Sequence, residues 1–143
     1  MNVGTVTWLT GMTFDGHAGG HHITIDTGPD EGDDRGPSPM DLALLALAAC
    51  SAMDVVSILQ KARQPFTGLV VRAEGERAPE HPRRYTRVTL RFEVAGAGVD
   101  RQAVERAVAL SEDRYCSVAA TFREPAEIVT AIALTGDAPA GGR

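Results

Sequence analysis

Hydrophobic and polar positions divide the chain into a strand-like first quarter, one long apolar segment and a further alternating region. Residues 3–9 alternate imperfectly, with Val3, Thr5 and Thr7 against Val6 and Trp8, and stop at Thr10 and Gly11. A short run at 12–14 leads into the turn-rich DGHAGG, and 22–26 is a second β-like run rich in branched residues. The acidic, Gly- and Pro-rich stretch TGPDEGDDRGP then predicts a surface loop. Ser38, Pro39 and Asp41 form a strong helix start: N-cap, first helical position and a carboxylate three residues after the cap. A helix is predicted over 39–63, about 37 Å long, with Lys61 and Arg63 in its last turn. Its LALLALAAC is apolar on every face, which predicts a central helix covered on all sides.

Two strands are predicted next, at 67–76 and 84–94. The second carries Val88, Leu90, Phe92 and Val94 on one face and Thr89, Arg91 and Glu93 on the other. Asp100 caps a second helix with Ala103, Val104, Ala107, Val108 and Leu110 on one face. Residues 115–122 read as a short helical turn, and 127–134 (EIVTAIAL) as a closing strand. The fold class is α+β with mainly antiparallel sheets around a long central buried helix, one domain over 1–135, and a flexible tail at 136–143. A domain of 143 residues struggles to surround such a helix alone, so a partner chain is expected to help, as a homodimer.

Composition narrows the function classes. Apolar residues at 43% and charged residues at 23% are those of a globular domain. A net charge of −5 and 5% aromatics disfavour nucleic acid and anionic membranes as partners. The N-terminus lacks the basic start and apolar core of a secretory signal. The longest uninterrupted apolar run, Leu42 to Cys50, is nine residues, short of the roughly 20 of a membrane span. A cytoplasmic protein is expected.

The two cysteines carry the candidate chemistry. Cys50 lies midway along the apolar helix and Cys116 follows the second helix, 66 positions later, which is neither a redox CxxC nor a zinc spacing. They read either as small buried hydrophobes or as a reactive pair. A helix start at Cys116 would favour its thiolate, whereas Cys50 needs a nearby cation or donor. Asp54 lies one turn after Cys50; a carboxylate there raises a thiol's pKa, so its expected role is structural or at an interface. Glu112, Asp113 and Arg114 are expected at a solvated helix end. His17, His21 and His22 are expected to be solvated turn residues, since neighbours on a strand point apart.

GPSPMDLALLALAACSAMDVVSIL, followed much later by LSEDRYCSVAATF, resembles the osmotically inducible protein C / organic hydroperoxide resistance (OsmC/Ohr) family. The resemblance covers nearly the whole chain in element order. It implies an intertwined homodimer with active sites at the subunit interface, and thiol-based reduction of organic hydroperoxides without metal or organic cofactor. On that reading Cys50 attacks the peroxide and becomes a sulfenic acid, Cys116 resolves it as a disulfide, and an external dithiol restores both. Where family peroxidases place a glutamate, ten positions before the first cysteine, this chain has Met40, and Asp41 is turned from that position by about 100°. The family's N-terminal arginine has no counterpart in residues 1–34; Arg35 is the local substitute. The pattern is closer to a less characterised branch without the Arg–Glu pair. The second function class is therefore a non-peroxidatic thiol protein that senses redox state or binds a small apolar ligand.

Overall fold

The computed structural model describes residues 1–136; most of the expected tail, from 137 on, lies outside the described residues. Three strands come first, β1 (Gly4–Thr10), β2 (Thr13–Ala18) and β3 (His21–Ile25), as an antiparallel meander in the order β1-β2-β3. The DGHA stretch read as turn-like is strand, and only Gly19 and Gly20 turn. Both have positive φ, as a two-residue hairpin loop demands. Gly16 is tolerated inside β2 because the Ile23 and Ile25 side chains cross over it: a Cβ there would lie 2.8 Å from Ile25 Cδ1.

The predicted acidic loop after β3 is organised from within. Asp26 is buried and accepts from Thr13 Oγ1 (2.7 Å) and from the backbone N–H groups of Thr27 and Arg35. These bonds tie the loop to the start of β2. Asp26 N–H also donates to the Pro37 carbonyl, just before the long helix.

That helix, α1 (Pro39–Lys61), starts as the sequence predicts. Ser38 and Asp41 form a reciprocal box: Asp41 N–H donates to Ser38 Oγ, and Ser38 N–H and Oγ–H donate to Asp41 Oδ2. It ends two residues earlier than expected because Arg63 turns left-handed (φ 54°). Arg63 N–H then bonds to Gln60 O and Gln64 N–H to Leu59 O, closing the last carbonyls.

Two strands, β4 (Gly68–Arg77) and β5 (Tyr85–Ala95), pair antiparallel as a second sheet. Next comes α2 (Arg101–Leu110), capped by the Asp100 carboxylate on Gln102 N–H. A π-helical turn at Ser111–Tyr115 and a short α3 (Ser117–Arg123) replace the single turn expected at 115–122.

The chain forms two compact units, Met1–Leu42 with the segment from Ile128, and Ala43–Glu127. In the second unit Val55 and Leu59 of α1 are buried against Ala103 and Ala107 of α2, with Phe66, Leu69, Phe92 and Val94 packed around them. A second cluster joins Leu47 of α1 with Cys116 and Ala119, flanked by Val88 and Leu90 of β5.

Three expectations need correction. Residues 127–134 form no strand: no ladder partner exists for them among the described residues, and Ile128, Val129, Ile132 and Leu134 stay exposed. A run of the right composition becomes a strand only when an edge meets it. Counting an uninterrupted apolar run also understated α1, whose length and mean hydropathy of 2.2 suffice to cross a bilayer. Within the described residues it packs on α2, α3 and β5 along one stripe, Leu47, Ser51, Val55 and Leu59, while Leu45 and Met53 are exposed, so the expected cover on all sides is not found.

Candidate functional site

Cys50 and Cys116 come together despite their separation in sequence. Their sulfurs and a carboxylate oxygen of Asp54 all lie within 4.8 Å of one another, and both cysteines are free thiols. Two of the three groups share a helix: Asp54 follows Cys50 by four residues, one turn along the same face. The third arrives because the π-helical turn ends at Cys116, which leaves helical geometry (φ −71°, ψ 99°) to cap α3.

Hydrogen-bond donors converge on two of the three groups. Cys116 Sγ accepts from Ser51 Oγ at 3.5 Å and from Ala119 N–H at 3.4 Å, and Asp54 Oδ2 accepts from Ser111 Oγ at 2.9 Å. Ser51 and Ser111 are fully buried, so their hydroxyls must find partners inside the protein, and the cluster supplies them. Burial pushes the Cys116 thiol above its ordinary 9.0; the Ser51 and Ala119 donors work against that shift, and the neighbouring Cys50 adds to it.

Of the residues singled out from sequence, Cys50 and Cys116 meet, and the expected helix start at Cys116 is present. Arg35 belongs to the other unit, where its side chain is exposed and its backbone N–H serves Asp26. The three histidines lie on β2 and β3 rather than in a turn. His17 and His22 are cross-strand partners, and His22 Nδ1 pairs with Asp15 at 2.9 Å. Glu112 is not at a solvated end: it is partly buried and takes a 2.7 Å ion pair from Arg123 Nη2.

Sequence reasoning missed Ser51 and Ser111 and set Asp54 aside. A signal for Ser51 was available. The buried positions of α1 are Leu47, Ser51, Val55 and Leu59, a stripe of period four, and a hydroxyl inside such a stripe marks a polar contact to be found. Nothing local marks Ser111, whose partner lies 57 positions away.

A cavity of about 460 Å³ opens beside the cluster. Leu47 and Ala119, which pack on Cys116, also line it, with Val88, Leu90, Phe92 and Phe122 as further apolar wall and Arg87, Arg123 and Glu112 as polar lining.

Comparison with known proteins agrees with this architecture. Protein YhfA of Escherichia coli K12 is 44% identical over 124 residues, 86% of this chain and 90% of YhfA. The crystal structure of a hypothetical protein from Aquifex aeolicus VF5 superposes with a TM-score of 0.77 at 29% identity, covering 86% of this chain and 87% of that one. An organic hydroperoxide resistance protein OsmC from Legionella pneumophila shares the fold at 14% identity, with a TM-score of 0.60 over 86% of this chain and 89% of its own. The family described as OsmC-like protein matches residues 32–131, and this chain, with its two cysteines side by side, belongs to that family.

Proposed function

We propose that the protein is a cofactor-independent, two-cysteine thiol peroxidase that reduces organic hydroperoxides. The carrying observation is the approach of the Cys50 and Cys116 sulfurs to within 4.8 Å, next to an apolar cavity. Cys50, more accessible than Cys116, attacks as thiolate. The O–O bond breaks, the alcohol leaves, and Cys50 carries the sulfenic acid. The Cys116 sulfur then attacks that sulfenic acid, and the S–O bond breaks. The hydroxide leaves as water with the proton given up by the Cys116 thiol, and the disulfide closes as the sulfurs move to about 2.05 Å. An external dithiol returns both thiols by exchange. The apolar cavity wall suits the tail of a fatty-acid or aryl hydroperoxide, and Arg87 at its lining offers a cation to a distal carboxylate. Arg35 is the sequence's own candidate for the cation that holds the thiolate. The Legionella relative's description as an organic hydroperoxide resistance protein and a predicted redox protein supports the same chemistry. A reducing cytoplasm would keep both thiols ready, and the working form is an intertwined homodimer.

One observation favours a second reading, a thiol sensor or small-ligand binder. Within the unit that holds both cysteines, the donors on Cys116 are a serine and a backbone amide rather than a cation, and burial disfavours the Cys116 thiolate. Stopped-flow oxidation of the reduced protein by cumene or linoleic hydroperoxide separates the two. The peroxidase loses both thiols far faster than free cysteine does; Cys50→Ser abolishes this, Cys116→Ser leaves a trappable sulfenic acid, and Arg35→Ala slows the first step. Oxidation at the rate of free cysteine leaves the second reading.

A further inference from the structure

We infer that Cys50, Asp54 and Cys116 of the reduced protein form a binding site for a soft divalent cation, Zn2+ foremost. The inference rests on Asp54 and its surroundings, which the peroxide chemistry does not use. Two thiols and a carboxylate give the mixed sulfur and oxygen set that zinc accepts and that magnesium and calcium do not. Around a tetrahedral Zn2+ such ligand atoms sit roughly 3.5–3.8 Å apart. Here all three already lie within 4.8 Å, so rotamer adjustments of about an ångström close the set.

The surroundings match a site for metal-bound anions. Ser111 Oγ donates to Asp54 Oδ2, and Ser51 Oγ and Ala119 N–H donate to Cys116 Sγ. Outer donors of this kind orient ligands and stabilise the negative charge that two thiolates and a carboxylate leave around one dication. Binding releases one proton from each thiol to water and changes no oxidation state. Three protein ligands leave the fourth position to water or an incoming donor. Disulfide formation would remove two of the three ligands, so the metal-bound and oxidised forms exclude one another.

Titration of the reduced full-length protein with Zn2+ against a chromophoric chelator, and with Co2+ followed by absorption, tests the site. The expected result is one ion per chain, with Co2+ showing thiolate charge-transfer bands and the intense visible bands of tetrahedral coordination. Asp54→Asn, which keeps the shape and an acceptor for Ser111, weakens Zn2+ by about tenfold or more, and Ser111→Ala weakens it less. Oxidation to the disulfide abolishes binding, and bound Zn2+ slows alkylation of both thiols. Absence of stoichiometric binding, or Co2+ spectra without thiolate bands, overturns the inference. So does an Asp54→Asn protein that binds as wild type does. The Co2+ spectrum of the wild type decides thiolate ligation even where Asp54→Asn fails to fold. A protein that binds zinc but does not reduce hydroperoxides keeps this site and loses the peroxidase reading.

Discussion

Asp26 shows how one side chain organises a segment whose composition says only that it is exposed. Its carboxylate draws together Thr13 of β2, Thr27 and Arg35, and the hydrogen bond from Thr13 holds its pKa below the ordinary 3.8, with the backbone donors adding to the effect. A lowered folded value means that the ionised form is favoured in the native state. The stability this contributes is complete above pH 3.8 and is lost as the pH falls through the lower folded value. Thr13→Val, which keeps the shape and removes the donor, is expected to raise the Asp26 pKa toward 3.8 and move the acid unfolding transition to higher pH. Carboxylate NMR titration and circular dichroism against pH measure both; an unchanged Asp26 titration would show that the backbone donors suffice.

At the scale of elements, α1 is held through a narrow stripe. Val55 and Leu59 are fully buried against α2, whereas Leu45 and Met53 on other faces are 57% and 71% exposed. Burial of a leucine and the packing around it set the cost of its loss, so Leu59→Ala is expected to destabilise the fold by about 2–5 kcal/mol, read by denaturant unfolding. A loss below about 1 kcal/mol would mean that the pocket collapses around the alanine. The β4–β5 ladder is marked by two exposed cross-strand pairs, Arg72–Glu93 and Arg91–Glu74, each diagonal to the facing Arg72 and Arg91. Such exposed pairs contribute little energy; their service is to separate two like charges that the register sets opposite.

At the scale of the molecule, much apolar surface is uncovered within the chain. Trp8 and Leu9 of β1, Met53 of α1 and Ile128, Val129, Ile132 and Leu134 are all exposed, the last two by 90% or more. Surfaces of this kind mark association sites. The expected outcome of analytical ultracentrifugation is a dimer of about 30 kDa, twice the chain's 15.1 kDa. Met53→Glu and Ile132→Asp are expected to shift it toward monomer. A wild type that sediments as a monomer at micromolar concentration would overturn the partner argument made from α1.

What was legible in the sequence was local. The Ser38–Asp41 box, the Asp100 cap and the β5 alternation each depend on residues within a few positions, and each formed where its pattern stood. The family, too, could be read from two contiguous blocks around Cys50 and Cys116. Strand formation at 127–134 was not local, because a ladder needs an edge that composition does not supply. Nor was the thiol site. The meeting of Cys50 with Cys116, the turn of Ser111 toward Asp54 and the burial of Ser51 join positions 57 to 66 apart. Periodicity fixes which face a side chain takes; which distant residue meets that face follows from how α1, the π-helical turn and α3 pack together.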